Sequence, residues 1–89
     1  MRSRRTDQFT HAYDKAPEAV RRAFDNKLRL LVEHGHRYLS LRTHPWPADG
    51  PDAKQCYVNK HWRLYYYLDG DIYVIYNLRP HPKSTRRGR

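Results

Sequence analysis

Residues 62–78 read WRLYYYLDGDIYVIYNL, two runs rich in tyrosine, leucine and β-branched residues on either side of an Asp-Gly step. Such runs fit a pleated, half-buried surface, and Asp-Gly between them is a strong short-range hairpin signal. The chain is expected to turn at Asp69-Gly70 with Leu68 opposite Asp71. That register places Trp62, Leu64, Tyr66, Tyr73, Ile75 and Asn77 on one face and Arg63, Tyr65, Tyr67, Ile72, Val74 and Tyr76 on the other. Both faces carry much apolar area, so either could pack on the rest of the chain, and a three-residue turn would change the cross-strand parity.

Upstream of the hairpin the apolar spacing changes from two residues to three and four. Thr6 and Asp7 can cap a short helix whose Phe9, Ala12, Tyr13 and Ala16 share one face, ending near Lys15. Pro17 suits the first turn of a second helix, Glu18 complements its positive end, and Val20, Ala23, Phe24, Leu28 and Leu31 form its stripe as far as Gly35. Tyr38, Leu39 and Leu41 indicate a first strand or extended segment. The run His44-Pro45-Trp46-Pro47-Ala48-Asp49-Gly50-Pro51 predicts an exposed loop, and residues 55–59 predict another strand. The fold class is therefore α+β: two N-terminal helices packed on a three- to four-stranded antiparallel sheet, in one domain over residues 1–83. Residues 84–89 form a basic tail, expected to be disordered.

With 89 residues the chain has room for one small core and no second catalytic domain. Its 18 Lys and Arg against 9 Asp and Glu favour acidic or polyanionic partners. Eight of those cations lie in the flanks, from Arg2 to Arg5 and from Arg79 to Arg89, while residues 6–78 are close to neutral. Asp49 and Asp52 fall in the loop and Asp69 and Asp71 at the turn, which leaves Lys54, Lys60, Arg63 and Arg79 unopposed by their neighbours in sequence. No run approaches the roughly 20 apolar residues of a membrane span, and no secretory apolar segment follows the Arg-rich start, so a cytoplasmic location is expected. Cys56 is the one cysteine, with no internal disulfide open to it, and is read as a buried strand thiol. His34-Gly35-His36 lies at a helix C-terminus with no third ligand nearby, and no metal or small-molecule cofactor is expected.

The order of two helices and then a sheet, together with Phe9, Tyr13, Ser40-Leu41-Arg42, Trp62-Arg63-Leu64-Tyr65-Tyr66, Asp69-Gly70-Asp71 and the terminal His81, resembles the RelE/ParE superfamily of bacterial toxins. The likeness extends over residues 6–83. It departs from many members in having only residues 1–5 before the first helix, so that the edge strand is expected to be missing, and Pro82 stands where a tyrosine often follows the histidine.

The resemblance implies the toxin of a type II toxin-antitoxin system, with an antitoxin as partner. In the RelE-like branch it implies metal-independent cleavage of mRNA on the ribosome, the 2′-hydroxyl attacking the adjacent phosphate. That reaction needs a base, cationic donors for the crowded phosphate and an acid for the leaving oxygen. Arg63 matches the strand arginine that serves the phosphate, a task suited to its planar fork. His81 matches the histidine after the last strand of YoeB-like members, as base or acid, and Arg79 the basic residue before it. Lys54 and Lys60 match lysines that hold backbone phosphates, and Tyr65 beside Arg63 is a candidate for stacking on RNA. No carboxylate is evidently placed as a base. Against these roles stand a salt bridge of Arg63 to Glu33 or a turn aspartate, and His81 as a solvated tail residue. The alternatives are a ParE-like or degenerate member that binds a protein target such as gyrase, or only its antitoxin, without cutting, and a small RNA-binding module working through its basic ends.

Overall fold

The computed structural model describes residues 2–81. Five strands form one sheet in the order β1-β5-β4-β3-β2, with β1 at Arg2–Arg5, β2 at His44–Pro45, β3 at Lys54–Tyr57, β4 at Trp62–Asp69 and β5 at Ile72–Pro80. The two helices, α1 (Asp7–Lys15) and α2 (Glu18–His34), cover one face of it.

The helix boundaries follow the local chemistry. Thr6 accepts the Phe9 N–H at 3.1 Å as the N-cap of α1. Pro17 precedes α2, and Gly35 ends it with φ +85°, donating its N–H to the Leu31 carbonyl. Phe9, Tyr13 and Phe24 meet where the helices cross, with ring centroids 4.9–5.7 Å apart. Beneath them lie Leu64, Tyr66, Tyr73, Ile75 and Leu78. The helix-facing side is thus the side that carries Leu64 and Tyr66.

The sheet differs from expectation in four places. It has five strands and is mixed: the edge strand expected to be missing is present, with Arg2–Arg5 running parallel to β5 and Arg2 opposite Ile72. All four residues of β1 are exposed, so no apolar alternation announces it, and its arginines suit an edge that must not pair with other chains. Residues Leu39–Leu41 form a 3-10 turn, not a strand, burying Leu41 and leaving Leu39 90% exposed. The proline-rich loop is largely exposed, as expected, but it is not irregular: it contributes β2, then a 3-10 turn at Pro47–Asp49, and lays the half-buried Trp46 5.6 Å from the Tyr65 ring on the face away from the helices.

The hairpin also shifts. Asp69 pairs with Ile72, so the central turn residues are Gly70 and Asp71. Gly70 has φ +63°, which puts the glycine in the first central position, where a hairpin turn needs positive φ. The face grouping survives as far as a bulge beside Tyr65 and Tyr66. There Tyr66 opposes Ile75 while Tyr65 opposes Asn77, leaving Tyr76 as the extra residue, and Leu78 in place of Asn77 joins the core.

Two consequences are testable. Phe24 is fully buried between Phe9 and Tyr13, and Phe24→Ala should cost about 3–5 kcal/mol in urea unfolding, a large share of the stability of so small a domain. Burial pushes the Cys56 thiol up to about 11, against a hydrogen bond with Thr43 at 3.0 Å that works the other way. The neutral thiol's contribution to stability is then complete below the ordinary value of 9.0 and is lost as pH rises towards 11. Native protein should resist thiol reagents at pH 8 and label only on unfolding, and Cys56→Ala should flatten the loss of stability above pH 9.

Candidate active site

On the open face, cross-strand pairing sets Tyr57, Arg63 and Arg79 in a row over β3, β4 and β5, Tyr57 opposite Arg63 and Arg63 opposite Arg79. The row is fixed by the sheet's hydrogen bonds, and the side chains inherit that order. Arg63 Nη1 donates to the carbonyls of Asn59 at 2.7 Å and Trp62 at 2.9 Å, and its guanidinium lies 4.7 Å from the Tyr57 ring centroid. One nitrogen is anchored and the plane is held, leaving the rest of the fork to bind an anion. Among the described residues Arg63 has no ion-pair partner: Glu33 lies 3.4 Å from Arg29 and Asp69 lies 3.7 Å from Arg4. Burial lowers the basicity of Arg63 and Arg42 adds to that, yet the group stays cationic at neutral pH.

Arg79 is held differently: unopposed by its neighbours in sequence, it meets a carboxylate from a distant loop. Asp49, carried over the open face by the proline-rich loop, accepts from Arg79 Nη2 at 3.2 Å and from the Tyr76 hydroxyl at 2.7 Å. The phenol of Tyr76 is raised, first by burial and then by this carboxylate. The other support of Arg79 is the Tyr65 ring, whose centroid is 4.1 Å from the guanidinium carbon. Tyr65 itself is 0% exposed, covered by Trp46 and receiving the Gln55 side-chain N–H at 2.9 Å. Expected as an RNA-stacking residue, it has no free face for a base and serves as the floor beneath Arg79.

The remaining candidates divide. His81 is exposed and follows β5 directly, its N–H donating to the His61 carbonyl at 2.7 Å. Lys60 lies in the same connection from β3 to β4, where the Asn59 side chain accepts from the N–H groups of His61 and Trp62. Arg63, Arg79, Lys60 and His81 therefore gather at one end of the sheet. Lys54 does not join them. It pairs with Tyr66 and has the parity of Cys56, which puts it on the helix side near the other end of β3. Two members of the site were missed. Asp49 meets Arg79 across 30 positions of sequence, a distance no local pattern crosses. Tyr57 was read only as part of a strand, although its alternation with Gln55 already put it on the face opposite Cys56.

The same fold occurs in solved structures. YafQ from E. coli strain BL21(DE3) superimposes with a TM-score of 0.75 at 15% identity, over 91% of this chain and 94% of that one. The YoeB/ParE toxin from Agrobacterium tumefaciens gives 0.75 at 14% identity, over 92% and 100%. RelE in the archaeal RelE-RelB complex from Pyrococcus horikoshii OT3 gives 0.74 at 16%, over 93% and 97%. The chain has the RelE/ParE toxin fold. At the level of sequence, no family description matches it and neither does any curated protein. No helix among the described residues is long and apolar enough to cross a membrane.

The clasp on Arg79 is open to measurement. With side chains 35% and 26% exposed, the Arg79–Asp49 pair is partly screened by solvent, so a double-mutant cycle with Arg79→Met and Asp49→Ala should give a coupling of about 0.5–1 kcal/mol that shrinks in high salt. Additive effects would show that the contact contributes nothing.

Proposed function

We propose that this chain is the toxin of a toxin-antitoxin pair and that it cleaves mRNA bound on the ribosome by attack of a 2′-hydroxyl on the adjacent phosphate. The observation that carries the reading is the cation Arg63, anchored by two carbonyls and a tyrosine ring and with no ion-pair partner among the described residues, at the end of a RelE-type sheet where His81 also lies. In the reaction the O2′–P bond forms and the P–O5′ bond breaks, while one proton leaves the 2′-oxygen and another reaches the 5′-oxygen. Arg63 would meet the charge that builds on the crowded phosphate, where a preorganised donor acts most strongly. His81, exposed at the end of β5, would carry a proton at one of the two oxygens. Arg79 would back the same phosphate once it leaves Asp49, and Lys60 would hold the backbone nearby. Lys54, on the other side of the sheet, could reach only a more distant part of the strand. The chemistry as written runs on these side chains alone, without a metal or cofactor.

The partner follows from charge and from the neighbours. The solved relatives include the E. coli DinJ-YafQ toxin-antitoxin complex and a RelE-RelB complex. A net charge of +9 and an arginine-bearing sheet edge suit an acidic antitoxin segment here, in the cytoplasm where ribosomes are. A second reading has its own observation: Arg79 is tied to Asp49, which fits a member that binds a protein target or only its antitoxin and does not cut.

Single-turnover cleavage on programmed ribosomes decides between the two. Arg63→Ala should lower the rate about a hundredfold to a thousandfold at every pH, with lysine restoring only part because it lacks the fork. His81→Ala should instead remove the acid-side fall in rate that proton transfer through a histidine produces. No cleavage by the wild type, together with growth arrest on expression that an antitoxin relieves, would support the non-cutting reading.

A further inference from the structure

Tyr57 is surrounded by cations from three separate elements. Besides Arg63 of β4 at 4.7 Å, the guanidinium of Arg42, after the Leu39–Leu41 turn, lies 5.0 Å from the ring centroid, and the Lys27 ammonium of α2 lies 5.7 Å from it. None of the three has an ion-pair partner among the described residues. On its own helix Lys27 has Ala23, Phe24, Leu30 and Leu31 at the neighbouring positions, so no acid is in register to neutralise it. Three like charges that converge on one ring repel one another, and a single aromatic ring offsets only part of that.

The backbone adds a second, independent observation. Arg42 has φ +48° and ψ +45°, and it is the only non-glycine residue with positive φ among those described. A residue with a Cβ is strained there, and glycine or asparagine would relieve it. The strain is kept at a position whose side chain reaches the Tyr57 ring. A fold that holds an arginine in a costly conformation, in order to set it against two other cations, is arranged for an anion.

We propose that Lys27 and Arg42, oriented on Tyr57, form a second phosphate subsite, which holds the phosphodiester next to the one that Arg63 engages. The proposal rests on the RNA reading above and deepens it. Contact with the ring holds the Arg42 and Arg63 guanidinium groups beside it, and the N–H groups not bonded to carbonyls would be left for neighbouring phosphates, as a planar fork allows. Lys27 adds a point charge from the helix side, so that the strand runs around the β3 end of the sheet towards α2. Tyr57 is a positioning residue: with its ring occupied by guanidinium groups it stacks no base.

Binding of a fluorescent 2′-O-methyl RNA oligonucleotide of mixed sequence, which lacks the attacking hydroxyl, tests this by anisotropy between 50 and 200 mM salt. Lys27→Gln and Arg42→Gly should each weaken binding about fivefold to tenfold at the lower salt and reduce the slope of log affinity on log salt by about 0.7. Arg42→Gly should melt at or above the wild-type temperature, because it removes the strain, which separates lost binding from lost folding. Tyr57→Leu should lose as much as Arg42→Gly, and Tyr57→Phe, which keeps the ring, should recover most of that loss. If Arg63→Ala weakens binding while Lys27→Gln and Arg42→Gly leave affinity and slope unchanged, the subsite is overturned and the RNA reading stands. If the wild type binds no RNA, both are overturned. Loss of binding to a poly-glutamate peptide in these variants, with RNA binding intact, would assign the cage to an acidic protein and also overturn the proposal.

Discussion

The pairing of Trp62–Asp69 with Ile72–Pro80 is the constraint on which the rest of the molecule depends. It sits in the middle of the sheet, with β1 on one flank and β3 on the other, and the bulge beside Tyr65 and Tyr66 decides what each face receives. Without the extra residue, Tyr76, the register would carry Asn77 towards the helices and turn Leu78 away. With it, Leu78 enters the core and Arg79 stands opposite Arg63. One inserted residue therefore serves both the packing and the gathering of charge, and bulges are commonly found beside functional sites for this reason.

The two faces of the sheet are closed in different ways. On the helix side Phe9, Phe24, Leu28 and Leu31 supply a continuous apolar cover. On the open side the cover is short: Trp46 and Asp49, delivered by a loop whose prolines restrict its φ angles, bury Tyr65 and tether Tyr76 and Arg79. Tyrosine suits this side because its ring can be buried while its hydroxyl still finds a partner in Gln55 or Asp49. The result is a floor of aromatic rings on which guanidinium groups rest, Arg63 and Arg42 on Tyr57 and Arg79 on Tyr65.

What the sequence disclosed was local. Thr6, Pro17 and Gly35 mark the helix ends where the structure has them, and the apolar spacing of Phe9, Val20, Phe24, Leu28 and Leu31 names the buried stripe. Where a feature depends on distant partners the signal fades. Arg2–Arg5 has no pattern of its own because β5 supplies all of its pairing, and Asp49 finds Arg79 only once the loop has crossed the sheet. Tyr38, Leu39 and Leu41 lack the alternation that would separate a strand from a turn, and the chain takes the turn. One error was avoidable: a Cys56 read as buried already puts Lys54, two residues away, on the helix side. Arg63 and His81 were singled out as candidates through the family resemblance, since an arginine in a strand and a histidine after one say little by themselves.

The parallel edge bears on how the molecule comes into being. Arg2 opposes Ile72 and Arg5 opposes Ile75, so β1, made before β5, has no partner until that strand follows it. Contacts between such distant segments form late, because the intervening chain must first surrender the entropy of a long loop. The helices can form early from local signals, whereas the sheet closes last and from its middle outwards. Arg79 and His81 lie on or just beyond β5, so the cationic end of the sheet is put together only once that strand has been made. A chain that lacks β5 would thus hold Arg63 without the cation that β5 sets opposite it.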